Sequence, residues 1–384
     1  ALAAVMIVSV MGLGVIGCSK EEAAPTTPTT PTTPTTPTAP PTTPAAGKVT
    51  TLKFAHPYSE VAYYVIDAYM PMIKEIEEQS DGRYEIDVYH NASLVKIPAS
   101  IDAIRTGISD FQVTCSSYHG GYFRADEIYA IPGFVDSAVQ GSKLRTALFN
   151  EFAKPEWDKI GVTEIGGRNT PGYNVVTKKE PLGSIADFKG MNIRTVYQMQ
   201  GELLKNLNAI PVQMPSVEVY EALQKGIVDA ECYTPGFVVS SKHYEVLSPG
   251  YFTMVGGTGM GPMQVFMNKD FFEGLPQADQ DMFLRLGDKY ASTIQPELDD
   301  DADVSGAEFL MDKGFTFTWW PQSEMDRLNK EFKEPLFPIW AAQMDAAGFP
   351  GSAMVAKMLE IAPQIVKDHP LDPRWDAIKT ASGY

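Results

Sequence analysis

Ala222-Leu223-Gln224-Lys225-Gly226-Ile227-Val228-Asp229 reads as the last turns of a helix, a glycine that stops it in the left-handed conformation, and the approach to a strand. The same arrangement occurs earlier as Ala103-Ile104-Arg105-Thr106-Gly107-Ile108-Ser109-Asp110. A helix closed in this way, feeding a strand that ends near a crevice, is a unit of an open α/β sheet, and two such units predict two similar lobes. Working outward from the first, residues 52–55 form a short apolar strand, 61–78 carry a helical pattern, 84–89 alternate as a strand, 99–106 form a helix and 108–114 return as a strand. Around the second, 161–164 and 173–177 read as strands, 187–194 as a turn into a strand, and 251–255 and 263–267 as strands flanking a glycine-rich turn. From residue 268 the pattern is helical, with one strand-like break at 315–319. Strands alternating with helices predict α/β layers with a largely parallel sheet. The second lobe is then an insertion, residues 173–262, between the two parts of the first, 48–172 and 263–384.

Forty-eight acidic against 31 basic side chains leave a formal charge of −17, which argues against a nucleic-acid partner, since that requires a basic surface. The 44% hydrophobic content is enough to bury a sizeable core, and the length suits two domains. Three cysteines, Cys18, Cys115 and Cys232, make no disulfide framework or cysteine-rich metal site. Histidines at 56, 90, 119, 243 and 369 have no ligand spacing, and no serine elbow, HExxH pair or P-loop occurs, so neither metal nor cofactor is expected. The run Gly256-Gly257-Thr258-Gly259-Met260-Gly261 precedes Pro262 and a strand, and reads as a cleft-facing turn rather than a phosphate loop. Asp301-Ala302-Asp303-Val304-Ser305-Gly306 imitates a calcium loop, but Glu308 stands where an apolar residue is expected and no terminal glutamate follows.

Residues 1–17 are uncharged and run into Val15-Ile16-Gly17-Cys18. This reads as the apolar part of a secretory signal, without an initiator Met or basic start, and it resembles a lipobox in which Cys18 becomes the lipidated first residue. An uncleaved membrane helix is the alternative, although the span is short for one. From Pro25 to Pro44 the repeat Pro-Thr-Thr favours extended polyproline II, so residues 18–47 read as a spacer. At about 3.1 Å per residue, some twenty residues reach roughly 60 Å. The expected location is the periplasm or the outer face of the cytoplasmic membrane, on a lipid anchor.

Three blocks in order, Gly190-Met191-Asn192-Ile193-Arg194-Thr195, Leu207 through Pro215, and Glu218 through Asp229, resemble the signature of the DctP-like solute-binding proteins of tripartite ATP-independent periplasmic (TRAP) transporters. The resemblance extends over nearly the whole folded part. It implies a two-lobed periplasmic-binding-protein-like fold with a ligand cleft between the lobes, a small organic acid as ligand, and a membrane-embedded permease as partner.

The resemblance also implies that Arg194 anchors a ligand carboxylate, a role that a planar, permanently charged guanidinium suits. A surface arginine in a salt bridge is the competing reading. Where relatives often carry a second arginine, this chain has Asn174, which disfavours a dicarboxylate. Past Asp229, Cys232 and Tyr233 replace the usual pair, with Glu231 shifted by one, and Tyr233 suits stacking on an apolar ligand. Strand ends of the first lobe place His56, Tyr58 and Ser59, and then Cys115, Ser116, Ser117 and Tyr118, near the cleft. Arg168 and Tyr197 are auxiliary candidates. Cys115 and Cys232 are expected at equivalent strand ends, either as a disulfide or as two free thiols. The tyrosines favour an aromatic or branched monocarboxylate. Three functions follow, in descending order: delivery to a TRAP permease without chemistry, presentation of ligand to a receptor, and an enzyme built on the same cleft.

Overall fold

Two sheets organise the described residues, 49–119 and 121–384 of a computed structural model. The expectations placed on the signal segment, on Cys18 and on the Pro/Thr spacer lie outside the described residues. The first sheet takes β1 (Thr50–Ala55), β2 (Tyr84–Tyr89), β3 (Phe111–Cys115) and β4 (Val162–Asn169). The chain then crosses to build β5 (Asn174–Thr177), β6 (Asn192–Thr195), β7 (Ile210–Gln213), β8 (Ala230–Tyr233) and β9 (Tyr251–Met254), and returns as β10 (Pro262–Asn268). A last strand, β11 (Thr316–Trp319), goes back to the second sheet. The orders are β2-β1-β3-β10-β4 and β11-β9-β5-β8-β6-β7.

The repeated unit is realised down to its hydrogen bonds. Gly107 and Gly226 adopt φ of +72° and +71°. In both caps the glycine N–H reaches a carbonyl three residues back at 3.2 Å and the next N–H reaches one five back at 2.9 Å, from Ile108 to Ala103 and from Ile227 to Ala222. This is the Schellman closure that left-handed glycine allows. The aspartate two residues further on then clamps a neighbouring strand. Asp110 accepts from the Lys53 N–H at 2.7 Å and Asp229 from the Asn192 N–H at 2.9 Å. That clamp explains why the strand expected from residue 108 begins only at Phe111.

Two findings differ from the sequence reading. Among the described residues five strand pairings are parallel and four antiparallel, so the sheets are mixed rather than largely parallel. All four antiparallel pairings involve β5 or β10, the strands that enter each sheet from the other lobe. The stretch 263–384, assigned above to the first lobe, also supplies β11, which pairs in parallel with β9 at the edge of the second sheet.

Packing follows strand position. β3 is central and buried throughout, whereas the edge strand β2 begins with alternating buried and exposed residues. Phe54 and Phe111 meet across β1 and β3 with ring centres 4.6 Å apart. The long helix Gln295–Asp312 ties the lobes together. Asp300 accepts from the Ala138 and Val139 N–H groups of the first lobe, and Asp303 accepts from the Gly236 N–H of the second at 2.9 Å. The stretch that imitates a calcium loop is part of this helix. Among the described residues no cluster of His, Cys, Asp and Glu could hold a metal ion, and no helix is long and apolar enough to cross a membrane.

Candidate functional site

A cavity of about 60 Å³ lies where the carboxyl ends of β1, β3, β6 and β8 converge between the sheets. Open α/β sheets bind ligands at such strand ends. The cavity is aromatic: Tyr58, Tyr64 and Tyr118 from the first lobe face Tyr173, Tyr197, Tyr233 and Phe237 from the second. Burial raises the pKa of all six tyrosines, so their hydroxyls stay protonated and can donate. Tyr173 and Tyr197 are linked through their hydroxyls at 3.2 Å, and the Tyr58 hydroxyl reaches Met263 Sδ at 3.6 Å.

Arg194 is fully buried in this cavity. Its position on β6, between β7 and β8, brings two carbonyls within reach. Nε donates to the Met214 carbonyl at 3.2 Å and Nη1 to the Cys232 carbonyl at 3.4 Å. Nη2 has no partner among the described residues. The guanidinium lies over the Tyr233 ring, 5.2 Å from its centre. The acid paired opposite it on β8, Glu231, is engaged by His243 Nδ1 at 2.8 Å. A buried guanidinium with one nitrogen free and an aromatic face beside it can receive an anionic oxygen attached to an apolar body.

Arg168 also lines the cavity, from β4, but its charge is answered. Nη1 lies 2.5 Å from an Asp299 carboxylate oxygen, and the Tyr63 hydroxyl donates to the other oxygen at 2.8 Å. With its amide oxygen turned toward the arginine, Gln295 accepts from Nε and Nη2 at 2.9 and 2.8 Å.

Of the other residues singled out in the sequence, Tyr58, Tyr118, Tyr197 and Tyr233 line the cavity, and so does Cys115. The rest sit elsewhere. His56 is buried behind it, with Nε2 at 2.9 Å from His90 Nδ1 and Nδ1 accepting from the Tyr58 N–H. Burial, with His90 adding to it, holds His56 at about 3, so it stays neutral. Ser59 is exposed. Ser116 is held by Gln264, which accepts from its N–H and donates to its hydroxyl. Asn174 bridges the crossing between lobes, accepting from the Val255 N–H at 2.9 Å and donating to the Gly172 carbonyl. Cys232 lies beside Tyr233 on a strand, so the two side chains point to opposite faces, and its carbonyl rather than its thiol serves Arg194. Both described cysteines are free thiols.

Tyr64, Thr170, Tyr173, Ser216, Phe237 and Met263 also line the cavity without having been singled out. Ser216 follows the quoted block that ends at Pro215, and Tyr173 opens the insertion, so both carried a positional signal. Tyr64 and Phe237 meet with ring centres 6.4 Å apart across the cleft, an approach that exists only in three dimensions. A larger groove of about 670 Å³ runs beside the cavity, past Glu127, Glu202 and Lys205. No arginine comparable to Arg194, fully buried with a free nitrogen, lines it.

The sequence model of the bacterial extracellular solute-binding proteins, family 7, matches residues 54–344. The chain is 28% identical over 234 residues to a solute-binding protein of Albidiferax ferrireducens, covering 60% of this chain and 68% of that one. It is 28% identical over 226 residues to the ectoine-binding periplasmic protein TeaA of Halomonas elongata, covering 57% and 64%. Among solved structures, a marine-metagenome TRAP solute-binding protein specific for aromatic acid ligands, in complex with 3-hydroxybenzoate, gives a TM-score of 0.77 at 22% identity, covering 83% of this chain and 99% of that one. A TRAP periplasmic solute-binding protein from Bordetella bronchiseptica, with (R)- and (S)-mandelate bound, gives 0.73 at 23% identity, covering 82% and 99%. At these identities the structural likeness establishes the fold.

Proposed function

The chain belongs to the bacterial extracellular solute-binding proteins, family 7, the solute-binding proteins of TRAP transporters, and from that premise we propose that it captures a small aromatic or branched monocarboxylate on Arg194. The observation that carries the reading is the free Nη2 of a fully buried guanidinium inside an aromatic cavity. Leaving such a nitrogen without an acceptor costs about 1–3 kcal/mol, which a bound carboxylate recovers. Tyr233 and the facing tyrosines enclose the apolar part of the ligand and offer hydroxyls to it.

The protein performs no chemistry in this reading. The lobes close over the acid because the closed form binds it better, and the loaded protein is presented to the permease. Cys18 carries the lipid anchor after removal of residues 1–17, and the Pro/Thr repeat holds the binding domain clear of the membrane. A thermal-shift screen of the protein against mono- and dicarboxylates, repeated with Arg194→Ala, tests the reading, because a ligand of the native state raises the melting temperature. The expected result is a shift with a monocarboxylate that disappears in the variant. An equal shift in the variant would remove Arg194 as the anchor.

A further inference from the structure

The cavity holds two arginines of opposite status. Arg194 has no salt bridge among the described residues, whereas the charge of Arg168 is paired with the Asp299 carboxylate, and Gln295, with its amide oxygen turned toward it, accepts from Nε and Nη2. Asp299 is itself fully buried, on the long helix Gln295–Asp312, and it is fixed from the other side by the Tyr63 hydroxyl. We propose that Asp299 is a specificity-determining residue that occupies Arg168 and so restricts the cavity to acids carrying a single negative charge. This inference rests on the reading of Arg194 as the carboxylate anchor and goes beyond it, because it assigns the exclusion of a second charge to a residue outside the cavity lining.

A second ligand carboxylate competes with Asp299 for Arg168. A second ligand carboxylate has one other guanidinium to approach, and that guanidinium already faces a carboxylate at 2.5 Å. A dicarboxylate must either displace a buried Asp299 or bury its own second charge without a partner and against a like charge. Both are costly in a buried site. Rejection through an unanswered charge is a recognised route to specificity, since it penalises the wrong ligand without weakening the right one. Tyr63 and Gln295 make displacement harder still, because Asp299 and Arg168 each lose a second contact if the pair separates.

The test is calorimetric titration of the protein and of Asp299→Asn with matched pairs, benzoate against isophthalate and butyrate against succinate and glutarate. Wild type is expected to prefer the monoacid of each pair. In Asp299→Asn, Arg168 is released, and the affinity for at least one diacid is expected to rise relative to its monoacid by at least about tenfold, the scale of one charged hydrogen bond. An unchanged ratio in a folded variant overturns the proposal, as does a wild type that binds the diacids equally well.

Should Asp299→Asn fail to fold, the double variant Arg168→Met/Asp299→Leu replaces the pair with apolar groups, which buried ion pairs often tolerate. It is expected to keep monoacid affinity within a few-fold and still to reject diacids. A tenfold loss of monoacid binding there would show that Arg168 is an anchor and would overturn the proposal. Arg194→Ala separates the two readings. If it binds monoacids as wild type does, or if wild type binds no acid at all, the anchor reading fails and takes this inference with it. If Arg194→Ala alone loses binding while Asp299→Asn changes no ratio, only this inference fails.

Discussion

The guanidinium carbon of Arg194 lies 5.2 Å from the centre of the Tyr233 ring, and the two residues come from neighbouring parallel strands of the second sheet. Arg194 is fully buried, has no salt bridge among the described residues and leaves its Nη2 without an acceptor there, so part of its hydrogen-bonding capacity goes unmet in the fold. Arg194→Met should therefore raise the stability of the ligand-free protein by about 1–3 kcal/mol while abolishing acid binding. Denaturant titration without ligand checks this. A marked loss of stability would mean that the arginine holds the strands together rather than waiting for an anion.

Gly261 faces the cleft where the chain re-enters the first lobe. A Cβ added there would lie 1.9 Å from the Tyr197 hydroxyl, closer than any real contact. Gly261→Ala is expected to push Tyr197 out of its hydrogen bond with Tyr173, costing about 1–3 kcal/mol and weakening ligand binding. Melting temperature and binding constant together decide the matter, and a wild-type value for both would mean that the cleft is slacker than its packing indicates.

Stability should fall as pH rises from 6 to 8. Burial lifts Asp126 and Glu127 to about 7, Asp303 to about 8, and Asp299 and Asp300 to about 6. Folded pKa values above the unfolded ones mean that the native state holds more protons, so this stabilisation is complete below about pH 4 and is lost as pH climbs through 6 to 8. Lys333, which burial lowers to about 8, has the opposite sign. Its cost is nearly constant below that pH and is relieved only above it. Melting temperatures at pH 6, 7 and 8 should decline in order, and Asp303→Asn should flatten the upper half. A midpoint that rises over this range contradicts the assignment.

Cys115 and Cys232 should resist thiol reagents in the native protein at pH 8. Burial pushes both thiols up to about 12, leaving almost no thiolate to react. Both should label fully once the protein is denatured without reductant. Rapid native labelling of either would mean that the cleft opens often enough to expose it.

Much of the fold was legible because it is written in local chemistry. The glycines at 107 and 226 and the aspartates three residues on define helix stop and strand clamp within eight residues, and each lobe repeats the device with matching bonds. Strand β11 was legible as a strand but its sheet was not, since nothing near Thr316 indicates that its partner is β9. At the site, the block around Arg194 marked the anchor. Period-two alternation on β8 could have separated Cys232 from Tyr233 had the register been known. The charge balance at Arg168 was hidden, because Asp299 stands far along the chain and reaches it only through the tertiary path of the long helix.

Among the described residues strand β4 pairs with one neighbour alone, β10, and it runs antiparallel to it. On a ribosome, or emerging through a translocation channel, Val162–Asn169 is therefore made long before its strand partner at Pro262–Asn268, and the edge stays bare while β5 to β9 of the second sheet are added. Neither lobe can finish alone, for β11 arrives later still. The chain should stay threadable until its final third is present, so a mutation that slows completion, rather than one that touches the cleft, is the kind that would leave it aggregated.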